Sequence, residues 1–295
     1  MHPAPSVIVF TVLSGFGFGL MFWLGLGATY AHGWGAFWLC LLAGGTAVIG
    51  LLASTFHLGN PQRFLRALTQ WRSSWLSREG IVSIAALTFF ALYGAMWVFT
   101  GLRLSIMGGV VAGLAVVAVF CTAMIYAQLK TVPRWNTALT PLKFLLFSLG
   151  LPAIFVGLYP LALGYFLAVA VVQVLHWRAG DNGLAGRGHS PESATGLGGI
   201  GKVRLLEAPH SGPNYLMKEM VFRVGRARAK NLRLVTIGAG FVLPSLILLL
   251  FGLDGQMALP LVIIAVVSHA IGMTASRWLF FAEADHAVSL YYGHR

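Results

Sequence analysis

The chain has 295 residues, of which 58% are apolar and only 9% are charged, and its mean hydropathy is +0.80. Soluble globular proteins carry roughly 25% charged residues, so this chain has too few to cover a surface that faces water. The composition excludes a soluble enzyme, a disordered chain and a free-standing nucleic-acid-binding protein. It indicates an all-α integral membrane protein with several spans, because each α-helix satisfies its own backbone polar groups in lipid.

Apolar stretches along the chain predict eight transmembrane helices, each close to the roughly 20 residues that a span needs. The fifth and sixth stretches are short and meet near Tyr159 and Pro160, and their summed length requires two spans joined by a tight turn. We therefore expect one membrane domain over 1–295, built as a bundle of eight helices. The predicted spans are 7–28, 36–56, 81–99, 104–128, 142–158, 161–177, 234–251 and 258–281.

The basic residues are distributed unequally between the two sides of the predicted bundle. The chain has 20 Lys and Arg against 8 Asp and Glu, a formal net charge of +12. With eight spans, 19 of the basic residues fall on the side of the N-terminus, and Arg103 alone falls on the other. Because positively charged loops stay in the cytoplasm, both termini are predicted to be cytoplasmic.

The connection 178–233 is the only sizeable segment outside the predicted spans, and it holds ten of the basic residues. Its first part is rich in Gly and Ser and predicts an irregular loop. Its second part, from Tyr215 onward, predicts a basic helix that runs into the seventh span. We expect this cytoplasmic segment to dock acidic partner subunits rather than nucleic acid.

The cysteines and histidines do not predict a metal site within the chain. Cys40 and Cys121 are too few for a four-thiolate iron–sulfur cluster, so any such cluster belongs to another chain. His269 is predicted in mid-span and His176 at the end of a span, roughly 18 Å apart in depth. No haem is therefore expected between them, and His269 is interpreted as a hydrogen-bonded residue between helices.

One polar pair lies at the predicted cytoplasmic edge, where His57 closes the second span and Glu79 opens the third. Consecutive spans with a short connection usually pack as neighbours, so both side chains can face one cavity. Reduction of a quinone takes two electrons and two protons. His57 can donate a hydrogen bond to a quinone carbonyl and titrates near neutral pH, and Glu79 can relay protons.

The residues alone leave other interpretations open. His57 and Glu79 could simply complement the dipoles at the ends of their helices, and the nearby arginines could be topology signals only. A transporter would need a substrate site near the midplane and often broken helices, whereas the eight acidic residues lie nearly all outside the predicted spans. A purely structural anchor without a redox role is compatible with the same topology.

Three segments carry a resemblance to a known family. Residues 57–63 (His-Leu-Gly-Asn-Pro-Gln-Arg) and 74–79 (Ser-Trp-Leu-Ser-Arg-Glu) resemble the membrane anchor subunits of dimethyl sulfoxide reductase-type complexes, the DmsC family. Residues 276–283 resemble the Gly-Arg-x-x-Phe-Tyr signature that the family has at the end of its eighth span. Here Ser276 replaces Gly and Phe281 replaces Tyr.

The resemblance implies a complex of three subunits. A catalytic subunit would hold bis(molybdopterin guanine dinucleotide), a ferredoxin-like subunit would hold four [4Fe–4S] clusters, and the anchor, typically free of haem, would exchange electrons with quinone. The family's quinol site uses a His and a Glu, which correspond to His57 and Glu79, 22 residues apart. The expected quinone site comprises His57, Arg63, Arg66, Trp75, Arg78, Glu79 and Arg277, with His57 and Glu79 as the catalytic pair.

The predicted orientation places the catalytic partners on the cytoplasmic face of a bacterial inner membrane. This arrangement, together with the extended tail 281–292, is similar to the sulfite-oxidising, Soe-type branch of the family. We therefore expect a subunit of an oxidoreductase that passes electrons from cytoplasmic sulfite oxidation to ubiquinone or menaquinone. The alternative is the anchor of a quinol-oxidising reductase of S- or N-oxides.

Overall fold

The computed structural model describes residues 2–56, 66, 68–207 and 223–292 of the chain. Within these residues the protein is helical and contains no β-strand, which confirms that the fold is all-α. The long helices are α1 (Pro5–Gly25), α2 (Trp34–Thr55), α3 (Trp75–Thr100), α4 (Ser105–Ala127), α5 (Leu139–Phe155), α6 (Tyr159–Asp181), α7 (Arg223–Ile237, a π turn at Gly238–Val242, then Leu243–Phe251) and α8 (Leu259–Ala282).

In the described part of the chain, seven helices are long and apolar enough to cross a membrane, and α5 is the shorter exception. Its 17 residues reach about 25 Å at 1.5 Å per residue, less than the roughly 30 Å of a bilayer core. The turn after α5 lies at Gly157 and Leu158 rather than at the predicted Tyr159 and Pro160. Pro160 instead is the second residue of α6, in the first turn, where the backbone needs no N–H donor.

Two helices are longer than the hydropathy pattern predicts at the end of the bundle where α1 begins and α8 ends, which we call the polar end. Helix α3 begins at Trp75 instead of residue 81, and the Ser74 side chain caps it by accepting a bond of 3.4 Å from the Ser77 N–H. Glu79 therefore lies inside the helix rather than at its edge. Helix α6 continues to Asp181, so that His176 does not close it.

Helix α1 lies at the centre of the bundle, with α2, α4, α5 and α8 packed around it. The close approach of α1 to its neighbouring helices depends on glycine residues. A Cβ on Gly17 would collide with backbone atoms of Ala43 and Ala47 in α2, and Gly25 faces Gly108 of α4 in the same way. Small residues let helix backbones come together in a membrane, where van der Waals packing supplies much of the association energy.

The π turn of α7 is stabilised by side chains of α8. Ser268 Oγ donates to the Ala239 carbonyl at 2.6 Å, and His269 Nδ1 donates to the Gly240 carbonyl at 2.6 Å. The imidazole also stacks on Phe166, with ring centroids 4.1 Å apart. A widened turn disturbs the regular backbone ladder, and these donors satisfy two of its carbonyls. The interpretation of His269 as a hydrogen-bonded residue between helices is confirmed.

Arg103, the one basic residue predicted on the side away from the termini, has a structural role. Its guanidinium donates to the carbonyls of Thr29 at 2.5 Å and Ala31 at 3.0 Å. It also lies 4.4 Å above the Trp97 ring, an arrangement that stabilises a cation through the ring quadrupole. Arg103 thereby fixes the connection between α1 and α2 at that end of the bundle.

The contact between α1 and α2 predicts a difference between two glycine substitutions. Gly17→Ala should destabilise the protein by about 1–3 kcal/mol, the usual effect of overpacking, because the added methyl group must push the two backbones apart. Gly45→Ala is the matched control, since a Cβ there meets nothing within 4 Å. Thermal unfolding of the detergent-purified protein measures the effect, and equal melting temperatures for both variants would contradict this account of the packing.

Candidate functional site

Polar side chains from five helices meet inside one end of the bundle, where α1 begins and α8 ends. Residues three or four apart share one face of a helix, and this spacing directs the polar positions of α4, α5 and α6 inward. All members are buried except Tyr126, which is partly buried. This interior polar cluster comprises Glu79, Thr122, Tyr126, Thr140, Lys143, Gln173, His176, Ser276 and Arg277.

Glu79 points from α3 towards α4, where the hydroxyl of Thr122 donates to one of its carboxylate oxygens. The residue is 4% exposed. Among the described residues, its hydrogen-bond partner is therefore a neutral hydroxyl and not a cation. An ionisable side chain inside a membrane bundle is costly and commonly functional. A buried carboxyl group without a fixed counter-charge is suited to accepting and releasing protons.

Two basic side chains of the cluster are covered by aromatic rings. The guanidinium carbon of Arg277 lies 3.6 Å from the Phe144 ring, and the ammonium of Lys143 lies 4.7 Å from the Phe280 ring. Both residues are 1% exposed. Within the described chain, Arg277 Nε and Nη1 have no hydrogen-bond partner. Cation–π contact partly compensates the loss of water around such groups.

Tyr126 joins the two halves of the interior polar cluster. Its ring packs among the rings of Trp135, Phe144, Phe280 and Phe281, at centroid distances of 5.4 to 5.8 Å. Phe144, which Tyr126 contacts, also lies 3.6 Å from the guanidinium carbon of Arg277, and Thr122 contacts Glu79. Tyr126 also follows Thr122 by one helical turn on the same face of α4. Glu79 and Arg277, far apart in sequence, thus belong to one site.

A second group of charges closes the same end nearer to the surface. Arg134 pairs with Asp181 at 2.8 Å and with Glu283 at 3.3 Å. Arg233 pairs with the same two carboxylates, at 2.5 Å and 2.7 Å. We name these four residues the surface ion-pair cluster. It joins the α4–α5 connection, the end of α6, the polar part of α7 and the end of α8.

The predicted docking segment 178–233 is held by other parts of the protein. Arg187 donates to the side chain of Asn136 at 2.7 Å, and the Tyr291 hydroxyl donates to the Ala194 carbonyl at 2.6 Å. The Gly- and Ser-rich part contains a short helix, Pro191–Thr195. The predicted basic helix is observed from Arg223, and residues 208–222 lie outside the described residues. The described surface at this end thus includes the α4–α5 connection, the α6–α7 connection and the C-terminal tail.

The structure does not bring all the predicted quinone-site residues together. His57 and Arg63 lie outside the described residues, and Arg66 is exposed. Arg78 lies 4.3 Å above the Trp75 ring and donates to the carbonyls of residues 71 and 72. It thereby stabilises the turn that precedes α3, on the outer side of the site.

Glu79 and Arg277 point into the bundle, and the sequence does not predict the residues that connect them. Arg277 is counted among the basic residues that predict the topology and is also a predicted site residue, and the structure shows that its side chain is fully buried. Lys143 is counted only as a basic residue of the 4–5 connection, although it falls within the predicted span 142–158. Because an ionisable residue inside a span commonly has a function, its position in the sequence could have identified Lys143 as a candidate site residue. No comparable signal marks Thr122 or Tyr126.

An apolar groove of about 500 Å³ opens between α2 and α3, away from the interior polar cluster. Its walls include Phe37, Cys40, Gly44, Phe90 and Gly94. The α3 residues that line it begin at residue 87, about 12 Å along the helix from Glu79 at 1.5 Å per residue. The groove therefore does not coincide with the predicted catalytic pair, and its lining offers no charged side chain to a polar ligand.

Comparison with known proteins identifies the family. Residues 1–176 match the family of the DMSO reductase anchor subunit (DmsC). The protein therefore belongs to the DmsC family of membrane anchor subunits. No solved structure matches it.

Several characterised relatives support the assignment. The protein is 32% identical to the C subunit of the sulfite dehydrogenase of Allochromatium vinosum, over 99% of both sequences. It is 34% identical to the YnfH protein of the anaerobic dimethyl sulfoxide reductase of Escherichia coli, over 38% of this sequence and 39% of that one. The DMSO reductase C polypeptide of the same organism is 33% identical, over 33% and 35% of the two sequences.

The surface ion-pair cluster yields a stability prediction. Glu283→Ala should destabilise the protein by about 3 kcal/mol, because it removes a buried carboxylate, 6% exposed, from Arg134, which is itself 8% exposed. Asp254→Ala, an exposed acidic residue between α7 and α8, serves as the control and should leave stability unchanged. Thermal unfolding in detergent tests both variants. Equal stability of Glu283→Ala and the unmodified protein would show that these ion pairs do not hold the segments together.

Proposed function

We propose that the protein is the membrane anchor and quinone-reactive subunit of a molybdenum and iron–sulfur oxidoreductase that transfers electrons from cytoplasmic sulfite oxidation to the quinone pool. The observation that supports sulfite as the substrate is the similarity to the C subunit of a sulfite dehydrogenase over 99% of both sequences. The dimethyl sulfoxide reductase relatives match about a third of this sequence. They support the alternative, a quinol-oxidising reductase of S- or N-oxides.

The proposed partners are a catalytic subunit with molybdopterin guanine dinucleotide and a ferredoxin-like subunit with [4Fe–4S] clusters. They dock on the basic surface at the polar end of the bundle. The exposed basic side chains of the 178–207 part, together with a formal net charge of +12 for the protein, favour an acidic partner surface. The surface ion-pair cluster holds this platform next to the interior polar cluster, so that electrons enter close to Glu79.

The proposed reaction is SO₃²⁻ + H₂O + quinone → SO₄²⁻ + quinol. The molybdenum subunit supplies two electrons, and the anchor must supply a binding site and two protons. Glu79 is the proposed proton donor to the quinone oxygen, and Thr122 orients its carboxyl group. His57 is the proposed hydrogen-bond donor to a quinone carbonyl, so that His57 and Glu79 form the catalytic pair. The remaining proposed site residues are Arg63, Arg66, Trp75, Arg78 and Arg277.

The proposed topology has eight spans with both termini in the cytoplasm of a bacterial cell, and α5 forms the fifth span. Helix α5 is short, but it packs between α1 and α6. Its ends therefore contact protein, so that its length need not match the bilayer. The charge asymmetry along the sequence supports this orientation.

The reaction is tested with the complex purified anaerobically together with its native partners. Sulfite should reduce a water-soluble quinone, and Glu79→Gln should lower the rate about 100-fold, the usual magnitude for loss of a general acid–base group. Sulfite oxidation with ferricyanide, which takes electrons without protons, should not change. Asp254→Asn is the control for loss of a carboxylate elsewhere.

Two outcomes would contradict the proposal. If the intact complex does not oxidise sulfite but oxidises quinol with a sulfoxide, the reductase alternative replaces it. If sulfite reduces quinone at the full rate in Glu79→Gln, the protein is an anchor in the proposed complex, but the quinone site lies elsewhere.

The topology predicts the labelling of single cysteines in a background where Cys40 and Cys121 are replaced by Ala. Gln256→Cys lies between α7 and α8, and a membrane-impermeant maleimide should label it in cells whose inner membrane is intact. Gly199→Cys lies between α6 and α7 and should react only after that membrane is permeabilised. Labelling of Gly199→Cys without permeabilisation would reverse the orientation. Both sites are exposed in this chain, so in cells that produce it without the proposed partner subunits both should react in the permeabilised control.

A further inference from the structure

The proposed reaction consumes two protons at a buried site, and the route by which they arrive is not defined by Glu79 alone. Lys143 is the one lysine of the interior polar cluster, fully buried on α5 and directed at the face of Phe280. Burial of an ammonium group is expensive unless it is compensated. The residue has no role in the docking surface, because it does not reach the exterior.

The inner end of a route is given by contacts around Phe280. The Phe280 ring lies 4.7 Å from the Lys143 ammonium and 5.5 Å from the Tyr126 ring, so both polar residues border the same aromatic side chain. One turn further along α4, Thr122 contacts Glu79 through its hydroxyl. Lys143 and Tyr126 thus both border Phe280, and Thr122 lies one helical turn from Tyr126 and contacts the carboxyl group of Glu79.

The outer end of the route is the surface ion-pair cluster. Lys143 borders Phe280, and Glu283 follows Phe280 by three residues, about one helical turn nearer to the end of α8. Arg134 in turn contacts Asp181, whose side chain is 44% exposed. The cluster thus connects water at the surface with the neighbourhood of Lys143, at the end of the bundle where the partners are proposed to dock.

We propose that Lys143 and Tyr126 conduct protons from the surface ion-pair cluster to Glu79. This inference rests on the proposed quinone reduction. For each proton delivered, Lys143 passes one proton towards Tyr126 and regains one from water that enters at the exposed Asp181, and the Tyr126 hydroxyl accepts one and releases one. Each residue ends in its starting state, and two passages supply the two protons of one quinol. The neighbouring Arg277 cannot serve as a carrier, because a guanidinium keeps its proton.

The test uses the intact complex, reduced beforehand with dithionite and mixed with a water-soluble quinone, so that the identity of the natural substrate does not enter. The rate of cluster reoxidation is compared among Lys143→Met, Lys143→Arg and Tyr126→Phe. The control is Lys130→Met, which removes an exposed cation from the α4–α5 connection. Reoxidation by ferricyanide, quinone binding and thermal stability are measured for each variant.

Proton conduction predicts that Lys143→Met and Lys143→Arg both lose at least about 10-fold of the quinone rate, with quinone binding and the ferricyanide rate retained. Tyr126→Phe, which removes a single oxygen, should slow the reaction in the same way and guards against misfolding at position 143. Recovery of the rate in Lys143→Arg would assign the residue a role as a fixed charge and overturn the inference. So would an unchanged rate in Tyr126→Phe. Failure of the proposed function is recognised separately, since Glu79→Gln would then also reduce quinone at the full rate.

Discussion

Two arginines and two carboxylates are matched with one another at the polar end of the bundle, and the arrangement of that end follows from these ion pairs. Arg134 and Arg233 are each bound to the same two carboxylates, so four segments distant in sequence are fixed at one point. The ends of α6 and α8 and the polar part of α7 hence keep their positions relative to the α4–α5 connection. The interior polar cluster depends on that arrangement, because its helices face one another directly beneath these ion pairs.

The helical architecture could be predicted from hydropathy because long apolar stretches have few alternatives in a membrane. The ends of the helices were harder to predict from the sequence, as α3 illustrates. Its first turns hold Ser77, Arg78 and Glu79, which a hydropathy pattern excludes from a span, although Ser74 caps the helix ahead of them. A polar first turn can remain helical when it packs against other helices. Hydropathy identifies the apolar part of a helix, and its true ends depend on capping and tertiary contacts.

The site was only partly predictable for a related reason. Glu79 and Arg277 could be identified from their residue type and their position in family motifs. Lys143 and Tyr126 owe their importance to contacts across α4, α5 and α8, and a single sequence does not reveal which faces of those helices meet. Treating each basic residue as a topology signal also concealed that Lys143 and Arg277 are buried. His57 and Arg63 lie outside the described residues, and their proposed roles rest on the sequence alone.

Because α7 contains a π turn, the number of residues in that helix determines which of its side chains face the ion pairs and which face the apolar core. An additional residue in a helix rotates everything beyond it by about 100°. Arg233 lies on one side of the π turn, with its carboxylate partners, while Phe241 and Leu248 lie within it and beyond it in the apolar core. Removal of one residue between Gly238 and Val242 would give a more regular helix, yet either the arginine or the core residues would then face the wrong direction. The number of residues between Arg233 and Gly240 is therefore as much a part of this architecture as their identities, and a single-residue deletion there would be more disruptive than most substitutions.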